Sequence, residues 1–178
     1  MNPARKLLRW FSVAGAAALL HVAPACAADG FAVDLTAPNV HISIPNLPNF
    51  PLARHPFADT QPHLRLMGSS ATGVTVSVLM PTAAPGMTPV ECAASSLAST
   101  VRRFKLARDD YVAAKLDDST FALLFIVRNP EFAQLETYLF SAAGGTHCVE
   151  VHASKMTRSS DDVVPWRQSF EGASITQP

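Results

Sequence analysis

The chain has 178 residues, in which 14 Lys and Arg balance 14 Asp and Glu and 48% of positions are hydrophobic. That length bounds one domain with enough chain for a hydrophobic core. The neutral balance, with no face-forming run of Lys or Arg, argues against nucleic acid and against anionic lipid as main partners.

The first 27 residues read as an address label. Arg5, Lys6 and Arg9 form a basic start, Trp10 to Leu20 is apolar, and Ala25-Cys26-Ala27 supplies a small-residue cleavage site. That order is the pattern of a secretory signal peptide, residues 1–27. A spanning anchor needs about twenty predominantly apolar residues, and His21 and Pro24 interrupt the stretch first. The expected location is periplasmic or secreted after cleavage near Ala27. The alternative is a lipoprotein anchored at Cys26, the one case in which a membrane becomes a partner. Against it, Ala23 stands where a lipobox usually carries Leu. Cleavage leaves 151 of the 178 residues and removes three of the 14 basic ones, so 11 face 14 acidic, about −3.

Residues 28–62 carry Pro38, Pro45, Pro48, Pro51, Pro56 and Pro62. Proline lacks an amide donor and holds its predecessor extended, so a regular helix or central strand is not expected here. Phe31 to Leu35 and Val40 to Ile44 do alternate like short strands, and an edge position tolerates proline. The expectation is an extended N-terminal arm, with the globular domain at 63–178.

Val74, Val76 and Val78 alternate with Thr75, Ser77 and Leu79, the period-two pattern of a half-buried strand. A loop with Pro85-Gly86 leads to Thr88, which forms a capping box with Glu91 while Pro89 takes the first helical position. Val90, Ala94, Leu97, Val101 and Phe104 follow at helical spacing and predict one apolar stripe. Tyr111 to Leu116 and Phe121 to Val127 read as strands, the second apolar on both faces and so central. Leu135 to Ser141 and His147 to Ser154 read as a hairpin through Gly144-Gly145. Val163, Trp166 and Phe170 mark a short helix started by Pro165 and ended by Gly172. Strands, a long helix, more strands and a short helix predict an α+β fold: an antiparallel sheet with one long and one short helix packed on it, an α/β sandwich.

This order resembles the PsbP-like family, named for an extrinsic subunit of the oxygen-evolving complex. The resemblance is carried by the strand Gly73 to Met80, the helix from Thr88, the meander Tyr111 to Lys155 and the closing Trp166-x-x-x-Phe170. It implies an α/β sandwich used for binding or assembly and transfers no catalytic residues.

With Cys26 removed, Cys92 and Cys148 remain, and an even pair in an exported domain most simply forms one disulfide. His147, Glu150 and His152 attract attention as metal or acid–base groups. Successive strand side chains alternate faces, so His147 and His152 point opposite ways, while Glu150 and His152 share a face with Cys148. Two ligands make an incomplete zinc site, so no metal is expected. Asp109-Asp110, Asp117-Asp118 and Asp161-Asp162 sit at element boundaries, where aspartate serves turns and caps. No nucleophile elbow or phosphate loop is present, so no cofactor and no catalytic set is expected. The residues left as ligand or interaction candidates are Glu150, His152 and Trp166, the last weighed against a place in the core.

These readings predict an exported, non-enzymatic binding or assembly module, partnered by an envelope or secreted protein. The alternatives are an immunity or inhibitor protein against a periplasmic toxin and a small metal-dependent hydrolase working around Glu150 and His152.

Overall fold

The computed structural model describes residues 30–177; the expected leader and Cys26 lie outside them. The chain runs β1 (Gly30–Thr36), β2 (Asn39–Pro48), β3 (Ala53–Arg54), β4 (Leu64–Ser69), β5 (Val74–Leu79), α1 (Pro89–Phe104), β6 (Tyr111–Lys115), β7 (Phe121–Arg128), β8 (Ala133–Ala143), β9 (His147–Thr157), α2 (Val163–Gln168) and β10 (Ser174–Thr176). Two antiparallel sheets result. One has three strands ordered β1-β2-β10, the other seven ordered β3-β4-β5-β9-β8-β7-β6. The α+β expectation holds, with a second small sheet added to it.

The arm expected at 28–62 needs correction. Residues 30–54 contribute three strands, and Phe31, Val40, Ile42 and Ile44 are buried in the main core. They pack with Val76, Val78, Leu139, Val149 and Val151 from one face of the large sheet, and with Trp166, Phe170 and Ile175. The prolines are accommodated where the ladder lapses. β1 pairs with β2 from Phe31↔Ile44 to Thr36↔Asn39, then slips to Gly30↔Pro48, and β10 meets β2 only at 41–43. Pro45 therefore falls in a bulge that asks for no amide donor. Pro38 sits in the β1–β2 turn after a cis peptide. The alternation of Val40, Ile42 and Ile44 outweighed the proline count, because a two-residue period buries every second side chain wherever a facing layer exists.

The C-terminal segment is clipped to this layer. Asn46 donates its side-chain amide to the carbonyls of Gln168 (3.3 Å) and Glu171 (3.0 Å). At β10, Thr120 Oγ1 accepts from the Ile175 amide at 2.9 Å, and Ser119 Oγ donates to the Ile175 carbonyl at 3.0 Å. These bonds fix the small sheet and α2 on one face of the large sheet. On the other face lies α1.

Helix α1 begins as expected. Thr88 Oγ1 accepts from the Glu91 amide, Glu91 accepts from the Thr88 amide at 2.8 Å, and Pro89 opens the helix. The Thr88 amide and the Thr88 hydroxyl, both donating to the Glu91 carboxylate, hold it below its usual range. Its buried face differs from the expected stripe. Cys92, Ala93 and Thr100 are buried and Leu97 and Phe104 pack beside them, whereas Val90 is 53% exposed and Ala94 is exposed as well. The helix packs chiefly on β8, with lesser contact to β7 and β9. A disulfide joins Cys92 to Cys148 at the start of β9, with Cα atoms 5.5 Å apart. None of the described helices is long and apolar enough to cross a membrane.

Candidate functional site

The register of the large sheet decides which side chains meet under α1. Residues paired directly across an antiparallel ladder share a face. His152 pairs with Tyr138 and with Ser77, and Glu150 pairs with Phe140 and Leu79. Cys148, Glu150 and His152 accordingly face α1, as their spacing predicted, and His147 lies at the β8–β9 turn beside the Thr146 hydroxyl, 3.1 Å away. Trp166 sits across the sheet in the opposite layer, so the three candidates do not form one site.

Glu150 and His152 belong to a polar patch completed by a residue that sequence reasoning missed, Glu136. His152 Nε2 lies 2.5 Å from the Glu136 carboxylate, which is only 2% exposed, and the imidazole stacks on the Tyr138 ring at 4.4 Å between centroids. Burial, then the carboxylates of Glu136 and Glu150, hold the Tyr138 phenol well above its usual value. Burial also raises the Glu150 carboxyl, against the opposing pull of the Ser96 hydroxyl, His152, Arg103 and His63. The signal for Glu136 was present: a lone acid on the inward parity of Tyr138 and Phe140, beside which β9 places a histidine diagonally. Among the described residues no group of three or more His, Cys, Asp or Glu is placed to hold a metal ion. Glu136 and His152 pair their charges, and Ser96 and Arg103 of α1 act on Glu150.

The aspartate pairs serve turns. Asp110 accepts from the Ala107 amide at 2.6 Å. Asp117 accepts from Ser119 and Thr120 at the β6–β7 turn; slight burial raises its carboxyl, but those hydrogen bonds outweigh it and leave it below the usual range. Asp162 takes the Thr157 hydroxyl and lies 3.4 Å from Lys155. That hydroxyl is the main cause of the lowered Asp162 carboxyl.

The open feature lies at the other end of the sheet. Because α1 sits over β8, it leaves β6 uncovered, and a groove of about 250 Å³ runs between Val90, Ala94 and Leu97 on the helix and Ala113, Phe121 and Leu123 on the strands. A second groove of about 170 Å³ lies on the opposite face of the same strand, bordered by Val112, Leu124, Ile126, Val163 and Trp166. Val112, 47% exposed, stands at its mouth. Trp166 is thus both core and groove wall. It is 5% exposed, meets Phe170 edge-on at 5.0 Å, and its indole N–H has no acceptor among the described residues.

β6 is the last strand of its sheet. The Leu116 amide donates to the Thr120 carbonyl at 2.9 Å, continuing the register that pairs Tyr111 with Phe125 and Lys115 with Phe121. Backbone groups alternate in direction along an antiparallel strand. Val112 and Ala114, on the parity of Leu116, therefore turn theirs to β7. Tyr111, Ala113 and Lys115 turn theirs outward.

Fold and site together define an α+β sandwich whose large sheet ends in a strand, β6, paired on one side and open on the other among the described residues, with an apolar groove on each face. No protein-family model matches the chain, and no curated protein matches it.

Proposed function

We propose that the chain is an exported, non-enzymatic binding or assembly module that takes up an apolar segment of an envelope or secreted polypeptide beside β6. One observation carries this reading: two apolar grooves flank an edge strand that no other element of the described chain covers. Contiguous exposed apolar surface costs solubility, and where it is kept it marks an interaction site. The Cys92–Cys148 bridge is compatible with an oxidising, exported location. The likeness to the PsbP-like family, with its implied use in binding or assembly, points the same way.

The test is uptake of a small apolar dye, Nile red, by the mature protein. Ala94→Glu places a charge in the wall of the first groove, which an apolar ligand must desolvate on entering, and should weaken uptake at least about tenfold. Asp34→Lys, on an exposed strand of the other layer, should leave it unchanged. Absence of saturable uptake, or equal uptake by the Ala94→Glu variant, overturns the reading. So does turnover of a peptidase, esterase or glycosidase substrate that a single polar substitution abolishes.

A further inference from the structure

Resting on the groove reading above, we infer that the bound segment joins the large sheet as an added antiparallel strand on β6, a stretch of about seven residues with apolar side chains alternating into the two grooves. Three observations carry it. First, Tyr111, Ala113 and Lys115 direct their amides and carbonyls away from β7, a row of hydrogen-bonding groups at the spacing a further strand needs. Second, the grooves lie on opposite faces of β6, and the side chains of an added strand alternate between those faces. A helical or compact ligand fills one groove; an extended one fills both. Third, β6 carries one of the usual defences of an exposed edge, Lys115 at its end, which is paired with Asp118 at 2.7 Å. Its sequence, Tyr-Val-Ala-Ala-Lys, has no proline, whereas the opposite edge, β3, is two residues long and flanked by Pro51 and Pro56.

The charges at the two ends of β6 specify the partner further. Asp109 and Asp110 precede the strand, Asp110 holding the Ala107 amide, and Lys115, paired with the exposed Asp118 at 2.7 Å, ends it. An antiparallel segment that begins with an acid and ends with a base matches both ends. A second copy of this chain matches less well. Pairing two β6 strands about Ala113 sets Asp109 of one copy against Asp117 of the other, and five residues of strand bury far less than the roughly 1,000 Å² of a stable interface. The occupant is therefore a segment of another polypeptide, recognised by main-chain bonds and small or branched apolar side chains.

The probe is the capped synthetic peptide Asp-Val-Ala-Val-Ala-Val-Arg, titrated into the mature protein. Ala113→Pro removes one outward amide and leaves the β6–β7 ladder intact, because the lost donor does not face β7. Peptide affinity should fall at least about tenfold in Ala113→Pro, while circular dichroism and thermal midpoint stay close to native. Peptide binding that Ala94→Glu weakens and Ala113→Pro does not overturns strand addition and leaves the groove reading standing. Failure of the peptide to bind, with Nile red uptake intact, does the same. Equal binding of the charge-swapped peptide, Arg-Val-Ala-Val-Ala-Val-Asp, overturns the assigned direction. A wild-type protein that sediments as a dimer, made monomeric by Ala113→Pro, overturns the choice of occupant in favour of a second copy.

Discussion

Ile42→Ala tests whether the N-terminal sheet belongs to the folded unit. Ile42 is 0% exposed and lies at the centre of its sheet, paired with Val33 on one side and Ile175 on the other. The substitution removes three carbons from a closed site, ~2.4 kcal/mol of lost burial at ~0.8 per carbon. A residual cavity of roughly 60 Å³ adds ~1.5 kcal/mol at ~24 cal/mol per Å³, for a total of about 4 kcal/mol. In a domain of this size each kcal/mol lowers the thermal midpoint by about 2–4 °C, so the expected fall is about 8–16 °C. Urea unfolding followed by tryptophan fluorescence and by circular dichroism should give one coincident transition with an unchanged slope. A loss below ~1 kcal/mol, within the range of an ordinary surface change, would mean that residues 30–48 lie on the domain without being part of it, and the burial argument would be wrong.

Two further outcomes follow from the face that carries α1. The Cys92–Cys148 bridge spans 56 residues, and closing a loop of that length stabilises the folded state by about 4 kcal/mol on the chain-entropy model. The Cys92→Ala/Cys148→Ala double variant should lose about that much in guanidinium unfolding, and an unchanged midpoint would contradict the structural role given to the bridge. Glu150 has its carboxyl raised by burial, so above its ordinary value of 4.5 the folded chain holds the proton longer than the unfolded chain. The contribution is favourable at low pH and is lost as pH rises through that interval. Glu150→Gln should therefore gain stability over the native chain at pH 7 and lose the gain near pH 4, read from urea midpoints across pH; the opposite slope refutes the placement of this carboxyl.

What the sequence made legible was mostly local. The start of α1 was readable because a capping box and a first-turn proline act within four residues. β5 was readable because Val74, Val76 and Val78 are all buried against the facing layer, so burial and sequence share one period. The helix stripe was misplaced because Cys92 and Thr100 were not counted as inward residues. Cys92 is inward because its sulfur reaches β9. The helix also runs over a sheet face that is itself partly polar, carrying Glu150 and His152, so its buried positions need not all be apolar. The N-terminal sheet was hidden for a different reason. Proline forbids a donor at one position, and only the register between β1, β2 and β10 shows that Pro45 falls where none is required. The two grooves depend on which strand ends the sheet, a property of topology that no residue in β6 announces by itself.

The two halves of the α1 face are connected by cause. Half of the sheet beneath the helix is polar, with Glu136, Glu150 and His152, and half is apolar, with Leu123, Phe125 and Phe140. Burial draws the apolar side chains of α1, Ala93, Leu97 and Phe104, onto the second half, and would draw the helix further toward β6. Two features hold α1 back. The disulfide fixes its first turn to the start of β9, and the buried carboxyl of Glu150 is compensated by Ser96 and Arg103, both on the helix. Sliding α1 toward β6 would strain the first and take Ser96 and Arg103 away from Glu150, leaving it to His152 and His63. The helix therefore stays over β8, with Ala93, Leu97 and Phe104 covering Leu123, Phe125 and Phe140, and β6 at the edge is left uncovered. The polar patch first singled out for chemistry thus bears on the proposed binding at a distance, by setting how far from the edge strand the helix can rest.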